Sequence, residues 1–194
     1  MDPSEKIKES SRIIVKMDAF DKICCVMDAQ GFVKGKKFYP RELSILSDTY
    51  KQTILCDTHL DRVDLTEKDR KTNNFLSNNI LGMSMSPQDL DIKEATEGNA
   101  ELMIVMLYDK VKTRRREVVA IKNYQLAEIL DDWGIPYVDL SRYHCPNFYR
   151  LKRLYGGNTC HFHERAVPDR SKLRCAEQKC ENMWKWIIDY KKMN

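Results

Sequence analysis

No run of 18 apolar residues occurs in this 194-residue chain, so no transmembrane helix is expected. Its opening stretch, MDPSEKIKESS, lacks the apolar core of a secretory signal peptide. Glycine (7) and proline (6) are sparse, and hydrophobic residues make up 42%, which excludes a low-complexity chain and suits a folded one. No G-x-S-x-G, P-loop or H-E-x-x-H appears, so the local signatures of a serine hydrolase, a nucleotide-binding loop and a zinc protease are missing. No small-molecule cofactor is evident. The seven cysteines are odd in number and form no small secreted framework. The expectation is a reducing intracellular compartment, cytoplasm or nucleus, with free or metal-bound thiols.

Histidine is scarce as well, and its placement is uneven. Three of the four histidines and four of the seven cysteines lie between His144 and Cys180. Tetrahedral zinc takes thiolate and imidazole ligands, and a C-x2-H step lets one turn of chain supply two of them. Cys160 and His163 form such a step, with Cys145 before it and Cys175 after it. The spacing therefore predicts one structural zinc held by Cys145, Cys160, His163 and Cys175. His161 is the alternative to His163, and His144 the alternative to Cys145. Cys180 falls on the apolar stripe of the last helix and is read as packing. A second constellation, Asp57, His59, Asp61 and Asp64, heads a polar stretch and reads more simply as solvated acids.

Charge is also uneven. Residues 141–194 hold 12 Lys/Arg against 5 Asp/Glu, while the rest of the chain holds 21 against 24. Arg150, Lys152, Arg153, Arg170, Lys172 and Arg174 are candidate contacts to phosphates. Tyr143, Phe148, Tyr149, Tyr155 and Phe162 are interleaved with these cations, a pattern that suits single-stranded nucleic acid and equally suits packing of a zinc-pinned loop.

The length suits a single domain, 21–194, preceded by an arm at 1–20. Ile23 to Asp28 is a continuous apolar run ending in an acid, as in a buried strand. Gly31 and Gly35 are read as a turn, Phe38 to Leu46 as a second strand, and Thr53 to Cys56 as a third. Residues 57–88 read as a long loop or a loop with a short helix. Leu102 to Tyr108 is read as a helix, Glu117 to Ile121 as a strand, Tyr124 to Trp133 as a helix stopped by Gly134, and Tyr137 to Leu140 as a strand. A helix from about Ser171 to Lys191 ends the chain. This βββαβαβα order predicts an α/β domain with a mixed five-stranded sheet.

That order, with Val26-Met27-Asp28-Ala29-Gln30-Gly31-Phe32 and Arg41-Glu42-Leu43, resembles RNase H-like domains of the DEDD-exonuclease type. It more closely resembles a group of largely uncharacterised proteins of insects and their viruses. That group shares D-x-Q-G-F, the following E-L, a KTN segment (Lys71-Thr72-Asn73), C-P (Cys145-Pro146) and a late C-x2-H…C-A (Cys160, His163, Cys175-Ala176). The resemblance spans roughly residues 22–188. A more distant likeness is to the Maelstrom domain of germline RNA silencing.

The resemblance implies an RNase H-like fold and a connection to RNA. It also implies that Asp28 stands at the first of four metal-binding carboxylates. Two-metal nucleases need those four acids around two cations about 3.5–4 Å apart. Gln30 replaces the second acid. Ala127 stands at the third, with Glu128 one place late. The last pattern falls on Arg174, Ala176 and Lys179. The expectation is a catalytically degenerate zinc protein, viral or transposon-related, that binds RNA or a protein of an RNA pathway. The alternatives are an active nuclease, using Asp28 with Mg²⁺ or Mn²⁺ or working without metal, and a protein-interaction module that antagonises host defence.

Overall fold

The computed structural model describes residues 18–85, 95–96, 100–157, 160–164 and 174–193. Most of the expected arm therefore lies outside the described residues, as do Arg170 and Lys172. The sheet is built from β1 (Ile23–Lys34), β2 (Lys37–Leu46), β3 (Lys51–Cys56), β4 (Ala95–Thr96), β5 (Val118–Ile121) and β6 (Tyr137–Asp139). Its spatial order is β4-β3-β2-β1-β5-β6. The β1–β2 and β2–β3 pairs are antiparallel, whereas β1–β5, β5–β6 and β3–β4 are parallel. The five expected strands are present, and the two-residue β4 extends the sheet by one edge strand.

The first strand runs six residues past the expected end at Asp28. Gly31 is not a turn but part of a register shift, where it pairs with Pro40. A Cβ at Gly31 would lie 2.1 Å from the Tyr39 carbonyl oxygen, so the close approach of β2 requires glycine. The turn falls at Gly35, where φ is +63°.

Helices follow as α1 (Asp18–Asp21), α2 (Glu67–Leu76), α3 (Ala100–Val111), α4 (Tyr124–Asp132), α5 (Phe148–Tyr155), α6 (His161–Glu164) and α7 (Ala176–Met193). The stretch read as a long loop or a loop with a short helix is the latter: it contains a ten-residue helix, which starts where the Thr66 hydroxyl accepts the Asp69 amide. Its buried Asn73 explains its docking: the side-chain amide donates to the Val33 carbonyl at 2.8 Å and accepts the Val33 amide at 3.0 Å. The last helix is Ala176–Met193, so Cys175 stands immediately before it.

Period two divides β1 between two faces. Cys25, Met27 and Ala29 join the core under α3 and α4, with Ile104, Leu107, Leu126 and Leu130. On the opposite face, Val26 packs with Cys180, Met183 and Ile187 of α7. Farther along that face stand two polar cross-strand pairs, Asp28–Ser44 and Gln30–Glu42. All four of these side chains are buried. Beyond them lies a third apolar cluster, which includes Phe32, Leu55, Leu81, Met83 and Phe162.

Candidate metal centre

Glu42, Cys160, His163 and Cys175 are all buried, and each offers a ligand atom within 4.8 Å of the others. Three parts of the chain deliver them. Glu42 projects from β2. Cys160 precedes α6 and His163 lies within it, with the His163 amide bonded to the Cys160 carbonyl at 3.0 Å, so the C-x2-H step is one tight turn. Cys175 stands immediately before α7. The apolar cluster around Phe32, Leu55 and Leu81 encloses them.

The spacing fits a four-coordinate ion. Ligands at the usual zinc distances lie roughly 3.3–3.8 Å from each other at the corners of a tetrahedron. Cys160 Sγ is 3.2 Å from Glu42 Oε1 and 3.1 Å from His163 Nδ1. Cys175 Sγ and His163 Nδ1 are each 3.6 Å from Glu42 Oε1. Two of these four edges fall within that range, and the two that involve Cys160 are about 0.1–0.2 Å short of it. Two thiolates, one imidazole and one carboxylate are a zinc-type donor set.

Electrostatics prepare the site for a cation. Hydrogen bonding from Cys160 lowers the Cys175 pKa to about 4 against the cost of burial, and His163 and the Gln178 amide assist. The same pairing, with burial, pushes Cys160 far upward. Burial raises Glu42 to about 8, and the negative charge of Cys175 adds to the rise. Burial opposes the His163 imidazolium, but Cys175 and Glu42 outweigh it and raise the pKa. The N-terminus of α7 is aimed at these anions. The Ala176 amide donates to Glu42 Oε2 at 2.9 Å, and the Gln178 amide to Cys175 Sγ at 3.5 Å.

Of the four expected ligands, the fold brings together Cys160, His163 and Cys175, and it does not bring Cys145. That cysteine packs among Leu140, Leu151, Met183 and Trp186, and burial raises its pKa to about 12. Glu42 takes the remaining corner. His144 is the exposed left-handed cap of a 3₁₀ turn, at φ +62°. Cys180 packs in the core as expected, with Sγ 3.4 Å from the Ser44 carbonyl oxygen.

Asp28 is fully buried and committed to neighbours. Lys179 Nζ lies 2.6 Å from Oδ1, and Gln30 Nε2 donates to Oδ2 at 2.7 Å. Burial raises the Asp28 pKa, and Lys179 opposes that rise. Asn123, four residues before Ala127, caps α4 and donates its side-chain amide to the Ala29 carbonyl at 2.9 Å.

The second acidic constellation does not converge. Asp61 caps a short turn, Asp64 faces Lys34 at 4.0 Å, and His59 lies 3.7 Å from Asp57 at the rim of an open cavity of about 570 Å³.

The basic residues that are described gather around α5. Arg150 and Arg153 are exposed and Lys152 is half-buried. The Arg174 guanidinium carbon sits 5.8 Å from the centre of the Tyr149 ring. Among the described residues, no helix is long and apolar enough to cross a membrane. Comparisons with protein-family models, with curated proteins and with solved structures give no match to this chain.

Proposed function

We propose that this chain is a catalytically degenerate RNase H-like domain, held together by a structural zinc and used to bind RNA. The observation that carries the reading is the Lys179–Asp28 ion pair. On the resemblance to DEDD-type domains, Asp28 is the first metal-binding acid and Lys179 stands at the last. An ammonium 2.6 Å from the carboxylate supplies in covalent form the positive charge that Mg²⁺ would supply in a nuclease. It also blocks the approach of an ion. The other buried acid of this face, Glu42, belongs to the zinc-type centre. Two-metal phosphodiester cleavage is therefore left without its carboxylates.

The strand order, with three antiparallel strands followed by parallel additions beside β1, supports the RNase H-like assignment. For RNA, the support is the exposed Arg150 and Arg153 on α5, with Arg174 against Tyr149 of the same helix. The metal ligand Cys175 is the next residue after Arg174, so ligation would fix the chain at that point. Zinc in this reading shapes the surface and takes no part in a reaction. Electrophoretic shift and cleavage of a labelled RNA, with and without Mg²⁺ or Mn²⁺, test it. Expected are a salt-sensitive shift and no cleavage stimulated by either ion. Cleavage that Asp28→Asn abolishes would overturn the degenerate reading, and no shift at low salt would overturn the binding one.

A further inference from the structure

Five aromatic residues are interleaved with the cations of the C-terminal third, and the fold treats them differently. Tyr143 is half-buried against Phe20, with ring centres 4.9 Å apart, and Phe148 and Phe162 are core residues. Tyr155 is half-buried, with its hydroxyl 3.1 Å from Asp189. Tyr149 alone of the five is largely exposed, at 53%. Its neighbours on the outer face of α5 are Arg150 and Arg153, both exposed. Arg174 sets its guanidinium 5.8 Å from the ring centre, and its own backbone is tied to the Ile80 carbonyl at 2.8 Å.

Tyr149 meets the buried Phe148 edge-on, with ring centres 5.6 Å apart, and still leaves about half of its surface in solvent, and its contact with Arg174 is a cation–π pair. Together they make an aromatic face flanked by three cations. A base can stack on such a face while the cations take the adjacent phosphates. Bases in a duplex are stacked on each other and do not offer a free face, so the surface discriminates by strandedness.

We infer that Tyr149 is the base-stacking residue of the RNA surface and that its ligand class is single-stranded RNA. This rests on the RNA-binding reading above. Tyr124, on α4, is a built-in control. It is also an exposed tyrosine, at 75%, and it stands on a different helix.

The test is fluorescence anisotropy of the zinc-loaded full chain with a 5′-labelled 12-mer RNA, as a single strand and annealed to its complement. Circular dichroism and zinc content confirm that each variant is folded. Expected is single-strand binding at least tenfold tighter than duplex binding. Tyr149→Ala should weaken it about tenfold, Tyr149→Phe should restore it, and Tyr124→Ala should leave it unchanged. If wild type binds but Tyr149→Ala binds equally well, or if the duplex binds as tightly, the stacking inference is overturned and the RNA-binding reading stands. If wild type binds neither RNA at low salt, the RNA-binding reading itself falls.

Discussion

Lys179 on α7 and Asp28 on β1 form an ion pair of 2.6 Å across the sheet–helix interface, with Asp28 fully buried and the Lys179 side chain 13% exposed. The two residues are 151 positions apart in sequence. Their contact locks the last helix to the first strand, one turn beyond the candidate metal ligand Cys175. A pair in such a place contributes little net stability, because desolvation offsets much of the attraction, but losing one partner strands the other.

Lys179→Met should therefore destabilise the protein by about 3–5 kcal/mol, the usual cost of an unpaired buried charge. The double variant Asp28→Asn with Lys179→Met should regain most of the loss, since Gln30 can still hydrogen-bond to the amide. Urea unfolding of the four proteins of this cycle measures the coupling. Equal stability of wild type and Lys179→Met would show that the pair does not act as described.

Metal content discriminates between the two four-residue ligand sets. Purified wild type is expected to hold about one zinc per chain. Glu42→Gln should lower zinc affinity at least tenfold, about 1.4 kcal/mol, while Cys145→Ser should keep full zinc content and lose only packing stability. Cys160→Ser and Cys175→Ser should lose the ion and fold poorly. Mass spectrometry of the native protein reads all of these, and loss of zinc in Cys145→Ser with retention in Glu42→Gln would reverse the assignment.

Removal of the ion should cost stability over the whole α6–α7 region, because Glu42, Cys160, His163 and Cys175 join three distant parts of the chain. A strong chelator is expected to lower the melting temperature, and added zinc to restore it in proportion to its excess over the dissociation constant. Hydrogen exchange should quicken first in α6 and the first turns of α7. A melting temperature unchanged by chelation would mean that the cluster holds without metal.

Much of this arrangement is legible in the residues, and the exceptions have identifiable causes. Apolar runs and turn signals give all five main strands and the helices over Ala100–Val111 and Tyr124–Asp132. C-x2-H spacing finds Cys160 and His163 because both ligands lie within one turn. Glu42 is hidden for the opposite reason. It alternates with Arg41 and Leu43 along β2, and a polar residue at alternate positions reads as a solvent-facing side chain. Only the docking of α7 onto that face buries it beside Cys160, His163 and Cys175. Cys145 misleads because sequence distance to Cys160 says nothing about which core it enters. Gly31 misleads because a glycine needed for close approach looks the same as one needed for a turn. The Lys179–Asp28 pair has no local signal, although the resemblance to DEDD-type domains places Lys179 at the fourth acid.

Acidity supplies the last test. In the folded metal-free protein Glu42 has a pKa of about 8, against 4.5 for an unperturbed side chain. The folded state therefore keeps a proton that the unfolded chain has released anywhere between those values. That contribution to stability is complete below pH 4.5 and is lost as the pH rises through 8. Metal reverses the trend, since it replaces the proton on Glu42 and on Cys160, whose pKa is also raised. Zinc affinity should then rise with pH from 6 to 8, by about tenfold per unit for each proton displaced. In Glu42→Gln the slope should fall by about one proton, and the metal-free stability should lose the downward contribution of Glu42, leaving the opposite, upward contribution of Cys175, whose folded pKa of about 4 lies below the ordinary thiol value. Competition with a chromophoric chelator at pH 6, 7 and 8, together with urea unfolding of the metal-free protein, checks both halves. A zinc affinity that does not change with pH would mean that Glu42 and Cys160 carry no proton to displace.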